Sequence, residues 1–180
     1  MARRINLGTA LLRITLGLAA AGASLAVARP AHAESSTHLA LDLDFNSAVD
    51  VNGVKAGGGG GLRVGQKLGL VVLSLTPELG GSYHAFGGDA QAKLYDGFVG
   101  ARLGVGKVVE PSIFAHVGYA HLDARGSRGG MLLDGGLALD FTLLPLVEFG
   151  LHGGYNVMTA GSDSAALKFL TLGLQAALVF

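Results

Sequence analysis

From Thr37 onward the chain alternates between apolar and polar positions. Leu39, Leu41, Leu43 and Phe45 share one face of an extended segment, and His38, Ala40, Asp42 and Asp44 share the other, the period of two of a β-strand. Two carboxylates two residues apart exclude a dry soluble core behind that second face. Polar residues from Asn46 to Ala56 then predict a loop. Five glycines, Gly57 to Gly61, lead into Leu62 and Val64 alternating with Arg63, Gly65 and Lys67, a second strand whose glycines permit curvature and close approach. A turn is expected at Leu68 to Leu70. The third strand sets Val71, Leu73, Leu75, Leu79 and Tyr83 against Ser74, Thr76, Glu78, Ser82 and His84. Pro77 inside it lacks an N–H, which predicts a local defect or bulge.

The rhythm continues to Phe180. Tyr95, Val99, Ala101, Leu103 and Val105 oppose Asp96, Phe98, Gly100, Arg102 and Gly104, and after a turn at Gly106 to Pro111, Ile113, Ala115, Val117 and Tyr119 oppose Phe114, His116 and Gly118. Leu133, Leu137, Leu139, Phe141 and Leu143 oppose Asp134, Ala138, Asp140 and Thr142; Pro145 marks a turn; Val147, Phe149, Leu151, Tyr155 and Val157 oppose Glu148, Gly150, His152, Gly154 and Asn156. The last strand sets Leu170, Leu172, Leu174, Ala176, Leu178 and Phe180 against Thr171, Gly173, Gln175 and Ala177. Eight strands result. Four longer polar connections (Asn46 to Ala56, Phe86 to Lys93, Asp123 to Gly130, Met158 to Leu167) alternate with short turns, an asymmetry that a soluble sandwich has no reason to show. The expectation is an all-β chain: a transmembrane antiparallel up-and-down β-barrel, apolar outside and polar inside, with long loops outside the cell and both ends of the barrel in the periplasm.

The first residues follow a different rule. Arg3, Arg4 and Arg13 precede an apolar stretch from Ile14 to Ala28, and Ala31-His32-Ala33 fits the small-x-small site of signal peptidase. Fifteen residues fall short of the ~20 a membrane-crossing helix needs. Residues 1–33 are therefore read as a cleaved secretory signal and residues 34–180 as the barrel. With the signal removed, thirteen acidic groups outnumber the remaining basic ones by about four, and those basic residues are scattered singly. A nucleic-acid partner is not expected, because such binding needs basic clusters. There is no cysteine, half the chain is apolar and only 14% is charged. An exported chain without disulfides has to hold together by packing and hydrogen bonding, as a closed barrel in a membrane does.

The terminal strand, Lys168 to Phe180, ends on an aromatic residue with apolar residues at alternate positions before it. It resembles the C-terminal signal by which outer-membrane barrels are recognised by the barrel-assembly machinery. As a pattern the whole mature chain resembles the small eight-stranded families typified by outer-membrane proteins A, X and W. Leu75-Thr76-Pro77-Glu78-Leu79 and Leu143-Leu144-Pro145-Leu146-Val147-Glu148 also resemble stretches of uncharacterised bacterial barrels. The resemblance implies the bacterial outer membrane as location, its lipid and the assembly machinery as partners, and Phe180 as the assembly signal. Two departures stand out: there is no Trp and little Tyr, so the interfacial aromatic girdles are thin, and no domain follows Phe180 to imply the peptidoglycan anchoring of larger relatives.

Inward positions collect Asp42, Asp44, Arg63, Lys67, Glu78, Asp96, Arg102, Asp134, Asp140 and Glu148, with His84, His116 and His152. Charges in a lumen this narrow have to pair, since an isolated buried charge costs several kcal/mol. The expected arrangement is a charge network in which Arg63 and Arg102 bridge carboxylates and fill the barrel; the other reading is a narrow path for small solutes or ions. Enzyme signals are poor. Gly104-Val105-Gly106-Lys107 has Ala101 where a phosphate loop needs glycine and Val108 where it needs Ser or Thr, and histidines show no metal-ligand spacing. No catalytic residue, cofactor or metal is therefore expected. A structural or envelope role, or a small-solute channel, is the leading expectation. The alternatives are a lipid-modifying enzyme with Ser82, His84, His121 and Asp123 at the outer rim, and a secreted soluble β-domain.

Overall fold

The computed structural model describes residues 34–49, 53–88, 91–124, 126–144, 146–159 and 166–180. The expected export signal, Arg125, Pro145 and most of the last loop lie outside them. Eight strands, β1 (Glu34–Val49), β2 (Lys55–Leu70), β3 (Leu73–Gly87), β4 (Lys93–Val105), β5 (Val109–Asp123), β6 (Ser127–Leu144), β7 (Val147–Thr159) and β8 (Leu167–Val179), pair in sequence order, all antiparallel. β1 closes the barrel on β8, with Leu41 opposite both Leu62 and Ala176. Closure leaves no free edge, so backbone groups bond within the sheet as a lipid environment demands. Strands of 13 to 18 residues exceed the ~9–11 needed to cross a bilayer at a tilt, so they project beyond it.

Strand ends differ from the sequence reading because pairing continues through polar residues. β1 runs through Asn46 to Val49 and β2 begins at Lys55, so the expected loop from Asn46 to Ala56 shrinks to the residues between them. The expected loop from Asp123 to Gly130 reduces to the three residues between β5 and β6, no longer than the connection between β4 and β5, so the alternation of long and short connections is not strict. Leu68 to Leu70 is strand, and the turn falls one step later, at Val71 and Val72. Val71 takes a φ of 60° there, a conformation β-branched residues rarely adopt, which hid the turn from a reading based on Gly, Asn and Pro.

Pro77 leaves a defect but no bulge. On the β4 side it pairs in register with Ala101; on the β2 side pairing lapses between Gly65↔Glu78 and Leu68↔Leu75 and resumes without a shift. The missing N–H is thus lost from one ladder only. The irregularities in register lie elsewhere, at Lys55/Gly57 and Thr142/Leu144.

Polarity is inverted relative to a soluble protein. Leu43, Leu62, Leu137, Leu143 and Leu172 stand on the outer wall and are about two-thirds exposed, while Asp42, Arg63, Glu78, Arg102 and Asp140 are buried inside. An apolar belt of this extent far exceeds the few hundred Å² that soluble monomers expose and matches a lipid-facing surface. All four tyrosines, Tyr83, Tyr95, Tyr119 and Tyr155, lie on the outer wall near the loop end, with Tyr83 and Tyr95 rings 5.0 Å apart. The same end carries exposed Lys55, Lys93 and Lys168. The thin aromatic girdle is therefore a tyrosine girdle at one interface, where an apolar ring with a polar tip is favoured.

The lumen also holds an apolar core that the sequence reading did not anticipate. At the loop end Phe86, Ala92, Leu94, Ala120, Leu122, Leu132, Met158, Leu167 and Phe169 pack together, with Leu94, Met158 and Phe169 fully buried. This cluster plugs the barrel above its polar interior.

Candidate functional site in the barrel lumen

Beneath the plug the inward positions form three polar tiers, each fixed by strand register. The middle tier is built on two arginines. Arg63 of β2 donates to both oxygens of Asp42 (2.9 and 3.0 Å), to Glu78 (2.9 Å) and to the Gln175 carbonyl (2.7 Å). Arg102 of β4 donates to Asp140 at 2.9 Å, reaches Gln175 at 3.4 Å and lies 3.9 Å from Glu78. Gln175 in turn donates to Asp140. Strands β1, β2, β3, β4, β6 and β8 are thus strutted across the barrel by charge-assisted bonds, the strongest class available.

Toward the turn end, Lys67 lies 2.6 Å from Glu110 and 3.6 Å from Glu148, and His38 approaches Glu148 to 3.2 Å. Ser74 donates to Glu110 and Thr142 to Glu148. Toward the loop end, His116 presents one ring nitrogen to Glu78 at 2.6 Å and the other to Asp134 at 2.7 Å, held between the rings of Phe98 and Phe114. At Gly100 a Cβ would collide with the Ala115 carbonyl and the His116 ring, so glycine is what admits that imidazole. His152 meets Asp44 at 2.9 Å, and Ser82 donates to Asp96 at 2.6 Å beside His84.

Every one of the eight lumen carboxylates among the described residues therefore lies within 4 Å of an Arg, Lys or His nitrogen. The structure brings together Asp42, Arg63, Glu78, Arg102, Asp140 and Glu148 across one interior, with Asp44, Asp96 and Asp134 in the tier above. Glu110, His38, Gln175, Asn46, Asn156 and Thr171 belong to the same interior. Glu110 had fallen in an expected turn, though its parity with Ser112, Phe114 and His116 marks it as inward-facing.

The arginines separate two small chambers. The upper one, about 70 Å³, is lined by Asp44, Ser82, His84, His116, Asp134, His152 and Asn156, among others, and the lower one is about 30 Å³. These volumes suit a few waters each. The rim constellation of Ser82, His84, His121 and Asp123 is not assembled: Ser82 and His84 lie inside beneath the plug, whereas His121 and Asp123 are exposed on the outer wall, His121 bonded to Ser127. Among the described residues no group of three His, Cys, Asp or Glu is placed to hold a metal ion.

No protein-family model matches the sequence, and no curated protein matches it. Solved structures do match in three dimensions. Neisserial surface protein A superposes with a TM-score of 0.57 at 12% identity, covering 83% of this chain and 99% of that one. Ail, the attachment invasion locus protein of Yersinia pestis, gives 0.52 at 18% identity over 83% and 99%. The N-terminal β-barrel domain of Pseudomonas aeruginosa OprF gives 0.51 at 11% identity over 83% and 100%. At these identities the likeness is one of fold: the chain is an all-β, closed, eight-stranded antiparallel barrel built like the small barrels of bacterial outer membranes.

Proposed function

We propose that residues 1–33 direct export and are removed, and that residues 34–180 sit in the bacterial outer membrane as a closed, non-conducting barrel with a structural role in the envelope. The double closure of the lumen carries this reading. The apolar plug shuts the loop end, and the layer of Arg63, Arg102 and their carboxylates spans the section below it. A chamber of about 70 Å³ between them offers room for waters and none for a nutrient-sized solute. The apolar outer wall, with tyrosines and lysines at one end, supports membrane lipid as the surrounding partner.

The test is planar-bilayer conductance of the refolded chain from Glu34 to Phe180, after carbonate extraction and heat-modifiable migration have established insertion. An inserted, silent barrel is the expected result. Reproducible steps that shift with Glu78→Gln or Arg102→Gln would replace this reading with a small-solute or ion channel, and release by carbonate would replace it with a soluble β-domain.

A further inference from the structure

Gly135 of β6 and Gly153 of β7 face outward, by parity with Leu133, Leu137, Leu151 and Tyr155, and stand diagonal to each other: Gly135 pairs with Tyr155 and Gly153 with Leu137. A glycine inside a strand marks a bulge, a sharp bend or the close approach of another backbone or a ligand. Register runs unbroken past both, and neither has a positive φ. No backbone crowds them. A Cβ on Gly153 would meet the Thr171 carbonyl at 3.7 Å and Leu172 at 3.8 Å, and one on Gly135 the Phe114 carbonyl at 3.4 Å, all ordinary contacts. The inward Gly136 differs, because a Cβ there would collide with the Gly153 carbonyl and the Phe114 ring. Packing in the lumen therefore accounts for Gly136 and leaves Gly135 and Gly153 without a structural reason. Barrel curvature supplies none, since side chains on the convex wall diverge.

Together the two glycines floor a groove of about 490 Å³ on the apolar outer wall, with Leu137, Tyr155, Leu172 and Phe45 among its sides. That volume falls within the ~300–1,000 Å³ of ligand-binding clefts. Lys168 stands exposed on the same outward row of β8 as Leu170 and Leu172, about 7 and 13 Å beyond them toward the loop end. A lysine so placed lays its stem along the apolar wall and holds its ammonium at headgroup level. The groove thus has an apolar length that ends, at the membrane interface, on a cation.

We propose that this groove binds one acyl lipid with an anionic phosphate headgroup, a chain lying over Gly135 and Gly153 and the phosphate against Lys168. The inference rests on the membrane location proposed above. A second copy of the chain suits the groove less well: a two-fold axis along the membrane normal would bring its Lys168 to the same level beside the same contact, cation next to cation.

The chain has no tryptophan, so a single introduced one reports on the lipid touching it. Leu174→Trp sets the indole at the foot of the groove, and Val117→Trp sets it away from the groove on β5, between Val99 and Leu133. Barrels purified from membranes of cells expressing the full chain are reconstituted in phosphatidylcholine vesicles containing phosphatidylglycerol, with one lipid or the other brominated on its chains as the quencher. At Leu174→Trp the expected preference for phosphatidylglycerol is about fivefold, the ratio for one lysine beside anionic lipid, with none at Val117→Trp. Lys168→Gln should abolish the preference, and so should Gly153→Leu, which fills the floor and leaves the cation in place; Gly135→Val fills the other half if Gly153→Leu does not fold. A preference that survives the filled floor but not Lys168→Gln is surface charge attraction alone and overturns the proposal, as does equal preference at both reporters. Shielding of Leu174→Trp from both brominated lipids, with Val117→Trp quenched, also overturns it and puts a second copy in the groove. Quenching at neither reporter would instead refute the membrane location, and the proposal with it.

Discussion

Arg63→Met tests whether the arginine layer holds the barrel together. The substitution keeps most of the aliphatic stem and removes only the charged fork, so little of its effect comes from lost volume. Two carboxylates are affected unequally. Glu78 keeps His116 at 2.6 Å and Arg102 at 3.9 Å. Asp42, 7% exposed, loses both of its bonds to Arg63 and has no other cation among the described residues within 4 Å. Stranding one buried charge in this way costs about 3–5 kcal/mol. Asp42→Leu should cost less, about 1–3 kcal/mol, because Arg63 retains Glu78 and Gln175. The double variant Arg63→Met/Asp42→Leu should recover most of the single-site loss, since no orphaned charge remains. Urea unfolding in phospholipid vesicles, followed by tyrosine fluorescence in this Trp-free chain, measures all three. A loss below about 1 kcal/mol for Arg63→Met, or a double variant as weak as the single, would refute the reasoning.

Three further outcomes are expected. Leu137→Arg, on the outer wall near the middle of β6 and 67% exposed, should cost about 2–4 kcal/mol in vesicles if lipid covers that face; a change within ~0.5 kcal/mol, as on a soluble surface, would argue against a membrane. Phe169→Ala removes a fully buried ring from the plug and should destabilise the fold by about 3–5 kcal/mol, yet leave the bilayer silent because the arginine layer still closes the section; conducting steps would show that the plug alone blocks the path. Deleting Phe180, which exchanges backbone hydrogen bonds with Thr37 at the closing seam and exposes its ring, should sharply reduce assembly while export continues, and unchanged assembly would remove its role as a recognition signal.

The period of two made much of this barrel readable. Once Leu39, Leu41 and Leu43 are assigned to one face, Asp42 and Asp44 have to occupy the other, and the same rule carries Arg63, Glu78, Arg102 and Asp140 to the interior. What escaped was set by features that periodicity does not encode. The turn at Val71 and Val72 uses residues that look like strand, and Lys55, Ser127 and Gly129 look like loop but remain paired. The plug was missed because Leu94, Leu132, Met158 and Phe169 are apolar residues on the face assigned to polar ones. Their parity with Asp96, Asp134, Asn156 and Thr171 marks them as interior, but hydrophobicity alone would send them outward. Pairings such as Arg63 with Gln175, far apart in sequence, depend on closure of β1 against β8 and on rotamers, neither of which a linear pattern contains.

The inverted polarity also bears on why the chain settles in one register. Slipping any strand by one residue exchanges its two faces. In a soluble sheet with one wet side, that error exposes leucines to water at a few kcal/mol. Here it would carry Arg63 or Arg102 to the lipid face, at about 2–4 kcal/mol for each arginine near the midplane, and would also strand Asp42, Glu78 or Asp140 without a cation. The backbone ladder contributes little to this choice, because a slipped ladder can remake most of its bonds. Thirty glycines weaken side-chain discrimination further, most of all along Gly57 to Gly61 in β2. Register in that strand then rests on Arg63, whose fork reaches β1, β3 and β8 at once and can do so from only one position.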